Sequence, residues 1–143
     1  MCIRDRLAAM IPIGTALQTT GVSSLIATSI STYASSLSLF WILLIILIVT
    51  MVTTDIINNA ATAVIMAPIS TGIALELGYA IEPFLMVVAV GASCAFLTPI
   101  GHQCNTVVMG PGNYKFTDYW RMGLPMDILI ILASIPMILF VWT

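Results

Sequence analysis

The stretch LSLFWILLIILIVTMVT (Leu37–Thr53) decides the fold, because it runs directly into TDIINN (Thr54–Asn59). The first part carries no charge and has Trp41 near one end, where aromatic side chains favour a membrane–water interface. After the polar second part, the chain is apolar again from Ala60 to Leu75. Two apolar arms around an Asn-Asn centre predict a helical hairpin or a broken helix rather than two simple spans.

The composition places the whole chain in a membrane. Of 143 residues, 60% are hydrophobic and 7% are charged, and the mean hydropathy is +1.12. A soluble domain carries about 25% charged residues. The net charge of -2 argues for no charged partner, and the absence of a basic patch excludes nucleic acid. The cysteines form no CxxC pair and no disulfide framework, so they are interpreted as small buried residues.

A second polar break follows the apolar run Phe84–Leu97, which is rich in small residues. The run stops at TPIGHQCNT (Thr98–Thr106) and resumes briefly at Val107–Met109. Because a span needs about 20 apolar residues, the first run cannot cross a bilayer alone. With the short arm after the break it can, and this pattern predicts a discontinuous transmembrane helix.

The last part of the chain predicts a polar connector over Lys115–Gly123 and a final span over Leu124–Thr143. We expect Asp127, at the start of that span, to lie at the membrane interface. The positive-inside rule puts Lys115 and Arg121 on the cytoplasmic side.

The first residues predict a protein that extends further upstream. Leu7–Leu17 is too short to span and is interpreted as the end of a helix, and Val22–Ser36 as an amphipathic helix. Met1–Arg6 resembles the adaptor-derived read ends of metagenomic assemblies, so we expect residues 1–6 to be non-native. Residues 7–143 then form one C-terminal transmembrane unit.

The two breaks are the candidate functional sites. Unpaired backbone groups in hydrocarbon cost several kcal/mol each, so unwound backbone is tolerated only where protein buries it or where it lines a cavity. Freed carbonyls can hold a cation, and the N-terminal ends of half-helices can hold an anion. Matching breaks in two apolar segments therefore predict a transporter site.

In the first break, the amides of Asn58 and Asn59 offer donors to an oxyanion and a carbonyl oxygen to sodium. Thr54 adds a hydroxyl, and Asn59 is the expected N-cap of the second arm. The pattern equally allows an ordinary loop with capping asparagines between two spans.

In the second break, Gly101 permits close backbone approach and Pro99 interrupts the helix. His102 and Asp55 are candidate proton-coupling groups. The alternatives are a neutral, hydrogen-bonded loop histidine and a helix-end charge in contact with water. No second histidine or acid stands at ligand spacing from His102, and no enzyme motif is present. We expect no transition metal, no cofactor and no catalytic residue.

TDIINNAATAVIMAPI (Thr54–Ile69) resembles the second hairpin signature of the divalent anion:sodium symporter family, which typically reads T-E-x-x-S-N-T-A-T. FLTPIGHQCNTVVMGPG (Phe96–Gly112) resembles the broken helix after that hairpin, and IPIGTALQTTG (Ile11–Gly21) the stretch before it. The likeness is strongest to bacterial permeases of this family, some of which carry soluble TrkA-C domains.

The resemblance implies an all-α elevator-type transporter built from two inverted repeats, each with a re-entrant hairpin and a broken helix. This chain matches the second repeat. The implied sodium site uses the side chains or carbonyls of Thr54, Ile57, Asn59 and Gly101. The predicted substrate residues are Asn58, Asn59, Ala60, Asn105 and Thr106.

The chain departs from the family signature at the hairpin tip. The S-N-T triplet is replaced by Asn58-Asn59-Ala60, so two hydroxyls are lost and one amide is gained. This leaves both dicarboxylate and sulfate open as substrates. Asp55 stands where the signature has Glu.

The expected function is sodium-coupled symport of small anions in the bacterial inner membrane. The expected partners are the lipid bilayer, an N-terminal repeat and a second copy of the full-length protein in a homodimer. The alternatives are proton-coupled transport through Asp55 and His102, and a structural membrane protein that transports nothing.

Overall fold

A computed structural model describes residues 38–142, together with Pro12, Ala16, residues 19–21 and Thr28. The predictions for Leu7–Leu17 and Val22–Ser36 fall mainly outside these residues. Over 38–142 the chain forms five helices: α1 Leu39–Ile56, α2 Asn59–Leu77, α3 Ile81–Ser93, α4 Gln103–Met109 and α5 Phe116–Trp142. By length and composition, α1, α2 and α5 can each cross a membrane. The predicted all-helical membrane protein is confirmed.

A tight connection at Ile57 and Asn58 joins α1 and α2 into a helical hairpin. The Ile57 N–H donates to the Thr53 carbonyl at 2.9 Å, and the Asn58 side-chain oxygen accepts the Ala60 N–H at 2.9 Å. The N-cap of α2 is therefore Asn58, and the prediction of Asn59 was wrong by one residue. The break is also shorter than predicted, because Asp55 still belongs to α1.

Gly78 ends α2 and turns the chain toward α3. Its φ of 72° lies in the left-handed region that glycine adopts without strain. The Tyr79 N–H then donates to the Ala74 carbonyl at 3.0 Å, which satisfies a carbonyl at the end of the helix. Pro83 lies in the first turn of α3, where its missing N–H breaks no helical bond.

The core lies where α3 packs against both arms of the hairpin, with α5 against α1 and α3. Its fully buried apolar side chains come from all four helices and include Leu43, Leu47, Ile73, Phe84, Val87 and Ile135. Gly91 brings α3 close to α1, because a Cβ there would lie 3.0 Å from the Cβ of Thr50. Close approach at small residues is typical of helix packing in membranes.

The predicted connector over Lys115–Gly123 is wrong, since α5 is helical from Phe116 onward and continues through Pro125 and Pro136. Asp118 explains the early start. Its side chain reaches back and accepts the Lys115 N–H at 2.9 Å, as the acid of a capping box does. The polar residues after Lys115 therefore form the first turns of a helix.

Candidate functional site

The two breaks predicted from the sequence meet in the structure. The chain leaves α3 at Cys94 and becomes helical again at Gln103. Within this segment Gly101 is buried against the end of α1. A Cβ on Gly101 would lie 3.1 Å from the Thr54 carbonyl oxygen and 3.1 Å from the Cα of Asp55. The close backbone approach expected at Gly101 is therefore observed.

Hydrogen bonds tie the end of α1 to the segment between α3 and α4. The Thr98 hydroxyl donates to the backbone carbonyl of Asp55 at 2.6 Å, and the Leu97 N–H donates to Oδ1 of Asp55 at 3.2 Å. The Gly101 N–H in turn donates to the Thr98 hydroxyl oxygen at 3.1 Å. We call these four residues the hairpin–break latch.

Thr54 and Asn59, two of the predicted sodium ligands, lie together. The Thr54 hydroxyl oxygen is 3.0 Å from Oδ1 of Asn59 and 3.0 Å from the carbonyl of Ala92 on α3. A hydroxyl has a single hydrogen, so the two acceptors share it. Because Thr54 is fully buried, this contact fixes the α1 end, the α2 start and α3 relative to one another.

Asn58 and Asn59 both keep donors at the hairpin tip. Each uses its side-chain oxygen within the hairpin, for the Ala60 N–H and the Thr54 hydroxyl respectively. Among the described residues, neither side-chain NH₂ group has an acceptor. Amide donors at the start of a helix suit an anion, since the helix dipole is positive there.

Asn105 and Thr106 use their side chains to hold the second break together. The Asn105 NH₂ donates to the carbonyls of Ala95 at 3.0 Å and Thr98 at 3.3 Å, and the Thr106 hydroxyl donates to the Pro99 carbonyl at 2.6 Å. These bonds satisfy carbonyls that the break removes from helical pairing. Substrate contact at these two residues stays a prediction.

His102 is exposed and caps α4, with Nδ1 accepting the Cys104 N–H at 3.2 Å. This is the geometry of the hydrogen-bonded loop histidine. Within the described residues, no group of three or more His, Cys, Asp or Glu side chains is placed to hold a metal ion.

Sequence reasoning missed Tyr119. Its hydroxyl donates to the Asn105 carbonyl at 2.8 Å and so connects α5 to the start of α4. No motif marked this residue, since its role depends on which face of α5 meets the break. A cavity of about 310 Å³ lies beside this contact, lined by Cys104, Asn105, Val108, Tyr114, Asp118, Tyr119 and Met122.

Asp127 is buried inside the protein, contrary to the expectation that it lies at the interface. Gly123, four residues earlier, is also buried. A spacing of four puts both on the same face of a helix.

Three apolar helices that can cross a bilayer, with polar breaks that meet inside the apolar segments, are typical of an integral membrane transporter. A family model described as the sodium:sulfate symporter transmembrane region matches residues 6–143, and the chain belongs to this family. The resemblance found in the sequence is thereby confirmed, and the family that the chain belongs to is one of membrane transporters.

The relatives of this chain include transporters that are named for sulfate or for dicarboxylates, and others that are uncharacterised. An uncharacterised transporter of Synechocystis sp. is 38% identical over 95% of this chain and 22% of its own length. Sodium/sulfate cotransporter 2 of Chlamydomonas reinhardtii is 29% identical over 90% of this chain and 15% of its own length. The sodium-dependent dicarboxylate transporter SdcS of Staphylococcus saprophyticus is 28% identical over 61% of this chain and 17% of its own length. The chain thus spans about a fifth of the length of such relatives.

Proposed function

We propose that this chain is the second inverted repeat of an elevator-type transporter that couples the movement of a small anion to sodium. The names of the sodium/sulfate and sodium-dependent dicarboxylate relatives support the coupling ion and the two candidate anion classes. In this proposal α1 and α2 are a re-entrant hairpin, and α3 and α4 are the halves of a discontinuous helix. An N-terminal repeat, a second copy of the full-length protein and the bacterial inner membrane complete the assembly.

The sodium site of the proposal consists of the Thr54 hydroxyl, the Asn59 side-chain oxygen and the carbonyls of Ile57 and Gly101. The close approach of Gly101 to the Thr54 backbone is the observation that carries it, because it brings the second break against the end of α1. Oxygen atoms are the ligands that hard cations prefer. A bound cation would compete with the hydrogen bond between Thr54 and Asn59.

The anion of the proposal binds at the hairpin tip, through Asn58, Asn59 and Ala60. The side-chain amide donors of the two asparagines, which meet no acceptor among the described residues, and the N-terminal end of α2 support this placement. Asn105 and Thr106, in the second break, are included as predicted substrate residues. Their side chains also donate hydrogen bonds to backbone carbonyls there.

The test uses the full-length transporter that contains this chain, reconstituted in liposomes. Uptake of labelled succinate and labelled sulfate is followed with and without an inward sodium gradient. We expect sodium-dependent uptake of one anion, and we expect Asn59→Ala to abolish it because both a cation ligand and an anion donor are lost.

Asn113→Gly is the matched control. It also removes a side-chain amide, but from an exposed turn whose φ of 51° suits glycine. Uptake that does not depend on sodium, or that persists in Asn59→Ala, would contradict the proposed sodium and anion sites. If substitutions at Asn59 and at Gly101 both leave the activity of the protein unchanged, the result would favour the alternative that this is a structural membrane protein.

Proton coupling through Asp55 and His102 is the second candidate function. Its supporting observation is that Oδ2 of Asp55 is buried without a hydrogen-bond partner among the described residues. Uptake that follows a pH gradient in the absence of sodium would favour this alternative.

A further inference from the structure

Asp127 lies in the middle of the described fold with an unsatisfied carboxyl group. The residue is only 7% exposed, and among the described residues neither Oδ1 nor Oδ2 accepts a hydrogen bond. A buried ionised carboxylate without partners is strongly unfavourable, because it loses its hydration and gains nothing in return. None of the residues already assigned to the sodium or anion site accounts for it.

The surroundings of Asp127 are defined by the contact between α5 and the second break. One turn earlier, Gly123 packs so closely on this segment that a Cβ would lie 2.6 Å from the Phe96 carbonyl oxygen and 3.0 Å from the Leu97 nitrogen. That Leu97 N–H is the one that donates to Asp55. Since residues four apart share a helix face, Asp127 lies on the face of α5 that contacts the segment between α3 and α4.

Among the described residues, the titratable groups that interact with Asp127 carry no positive charge. Its electrostatic partner is another acid, Asp55 of α1, and the Cys94 thiol at the end of α3 interacts with both acids. The described basic residues His102, Lys115 and Arg121 are exposed, and so are Glu76 and Glu82. Asp118 uses its carboxylate at the start of α5. Within this part of the chain, the Asp127 carboxyl group therefore has neither a hydrogen-bond donor nor a compensating positive charge.

We infer that Asp127 is a proton-binding site, separate from the cation site at the hairpin tip, and that it is occupied by a proton in the conformation described. Protonation removes the buried charge and converts one of its oxygens into a donor. It also removes the electrostatic repulsion between Asp127 and Asp55. The inference goes beyond the proposed sodium-coupled function and does not depend on it.

A proton fits this place better than a metal cation. A hard cation needs several oxygen ligands, and among the described residues no group of three or more His, Cys, Asp or Glu side chains is placed to supply them. A proton needs only the carboxyl group itself.

The test measures the infrared carbonyl band of protonated carboxyl groups in the purified full-length transporter in mildly acidic buffer. We expect a band that is lost in Asp127→Asn, in which an amide of nearly the same shape replaces the acid. The band is expected to remain in Glu82→Gln, which removes an exposed acid on α3.

Three results would overturn the inference: no protonated carboxyl band in the folded wild type, a band that survives Asp127→Asn, or a band that saturating sodium removes. If Asp127→Asn cannot be purified, Asp127→Glu replaces it. The longer side chain must then change the position of the band, and an unchanged band would assign it to another residue. Because the readout is protonation, failure of transport and failure of this inference are distinguishable.

Discussion

At the scale of single residues, a few polar side chains make the broken backbone tolerable in an apolar protein. Four side chains donate hydrogen bonds to backbone carbonyls at the end of α1, in the second break or at the start of α4: Thr98, Asn105, Thr106 and Tyr119. A carbonyl left unpaired there would cost several kcal/mol. The side chains that interrupt the helix pattern in the sequence are thus the ones that replace its hydrogen bonds.

Thr54→Val removes the hydroxyl shared by Asn59 and the Ala92 carbonyl, and leaves both acceptors without that donor. We expect a loss of stability of about 1–3 kcal/mol. If Thr54 is also a sodium ligand, the sodium concentration that gives half-maximal uptake should rise about tenfold. This corresponds to a loss of about 1.4 kcal/mol in the free energy of sodium binding. Thermal unfolding and sodium titration of uptake measure the two effects.

The neighbouring variant Thr53→Val is the control for this change. The Thr53 hydroxyl donates to the Val49 carbonyl of its own helix at 2.7 Å and contacts no other element through that bond. Its removal should leave the sodium dependence unaltered. Equal sodium effects in both variants would mean that Thr54 has no special role.

The candidate site residues could be proposed from the sequence, but their hydrogen-bond partners could not. Polar residues and a glycine that interrupt an apolar run are visible in the sequence, and Thr54, Asn59 and Gly101 were singled out in this way. The division of roles between Asn58 and Asn59, the burial of Asp127 and the contact of Tyr119 were not. Each depends on the rotation of a helix about its axis, which a nearly all-apolar helix does not encode by periodicity.

At the scale of elements, the sequence predicted the helices on either side of both breaks, with boundaries that differ by a few residues. The largest error was the start of α5. The polar residues between Lys115 and Gly123 suggested a connector, whereas the capping interaction of Asp118 makes them helical. Polarity indicated exposure correctly there and secondary structure incorrectly.

Gly101→Ala tests the contact between the hairpin and the break. The new Cβ would lie 3.0 Å from the Cβ of Ala95 and 3.1 Å from the Thr54 carbonyl oxygen, so the two elements must separate slightly. We expect a destabilisation of about 1–3 kcal/mol and a loss of sodium-dependent uptake. Thermal unfolding and liposome uptake of the full-length transporter provide the measurements.

Gly110→Ala is the matched control, because a Cβ on Gly110 meets no atom within 4 Å. It should unfold and transport as the wild type does. A Gly101→Ala protein with normal stability and normal sodium dependence would show that the contact between the breaks is not needed for coupling.

At the scale of the whole molecule, the described helices expose much of their apolar surface. On α5 alone, the side chains with the greatest exposure include Met122, Leu132, Met137 and Phe140. Such a surface is satisfied by lipid or by other parts of a larger protein. The proposed site likewise needs a second repeat, since in the proposal two repeats share one substrate.

The isolated 143-residue chain should therefore neither transport nor bind its anion tightly. Equilibrium binding of labelled sulfate and succinate to the purified chain, with saturating sodium, tests this expectation. The full-length transporter under the same conditions is the positive control. Tight, sodium-dependent binding by the isolated chain would mean that one repeat holds a complete site.

In the proposed transporter, the hairpin–break latch would limit how the site opens. Asp55 accepts hydrogen bonds from the segment between α3 and α4 through both its side chain and its backbone carbonyl. Two attachments at one residue oppose both sliding and rotation of the hairpin tip against the break. Alternating exposure to the two sides of a membrane would then be achieved by displacing the tip and the break together as a single rigid piece, and the ion would travel with its ligands instead of being released by their separation.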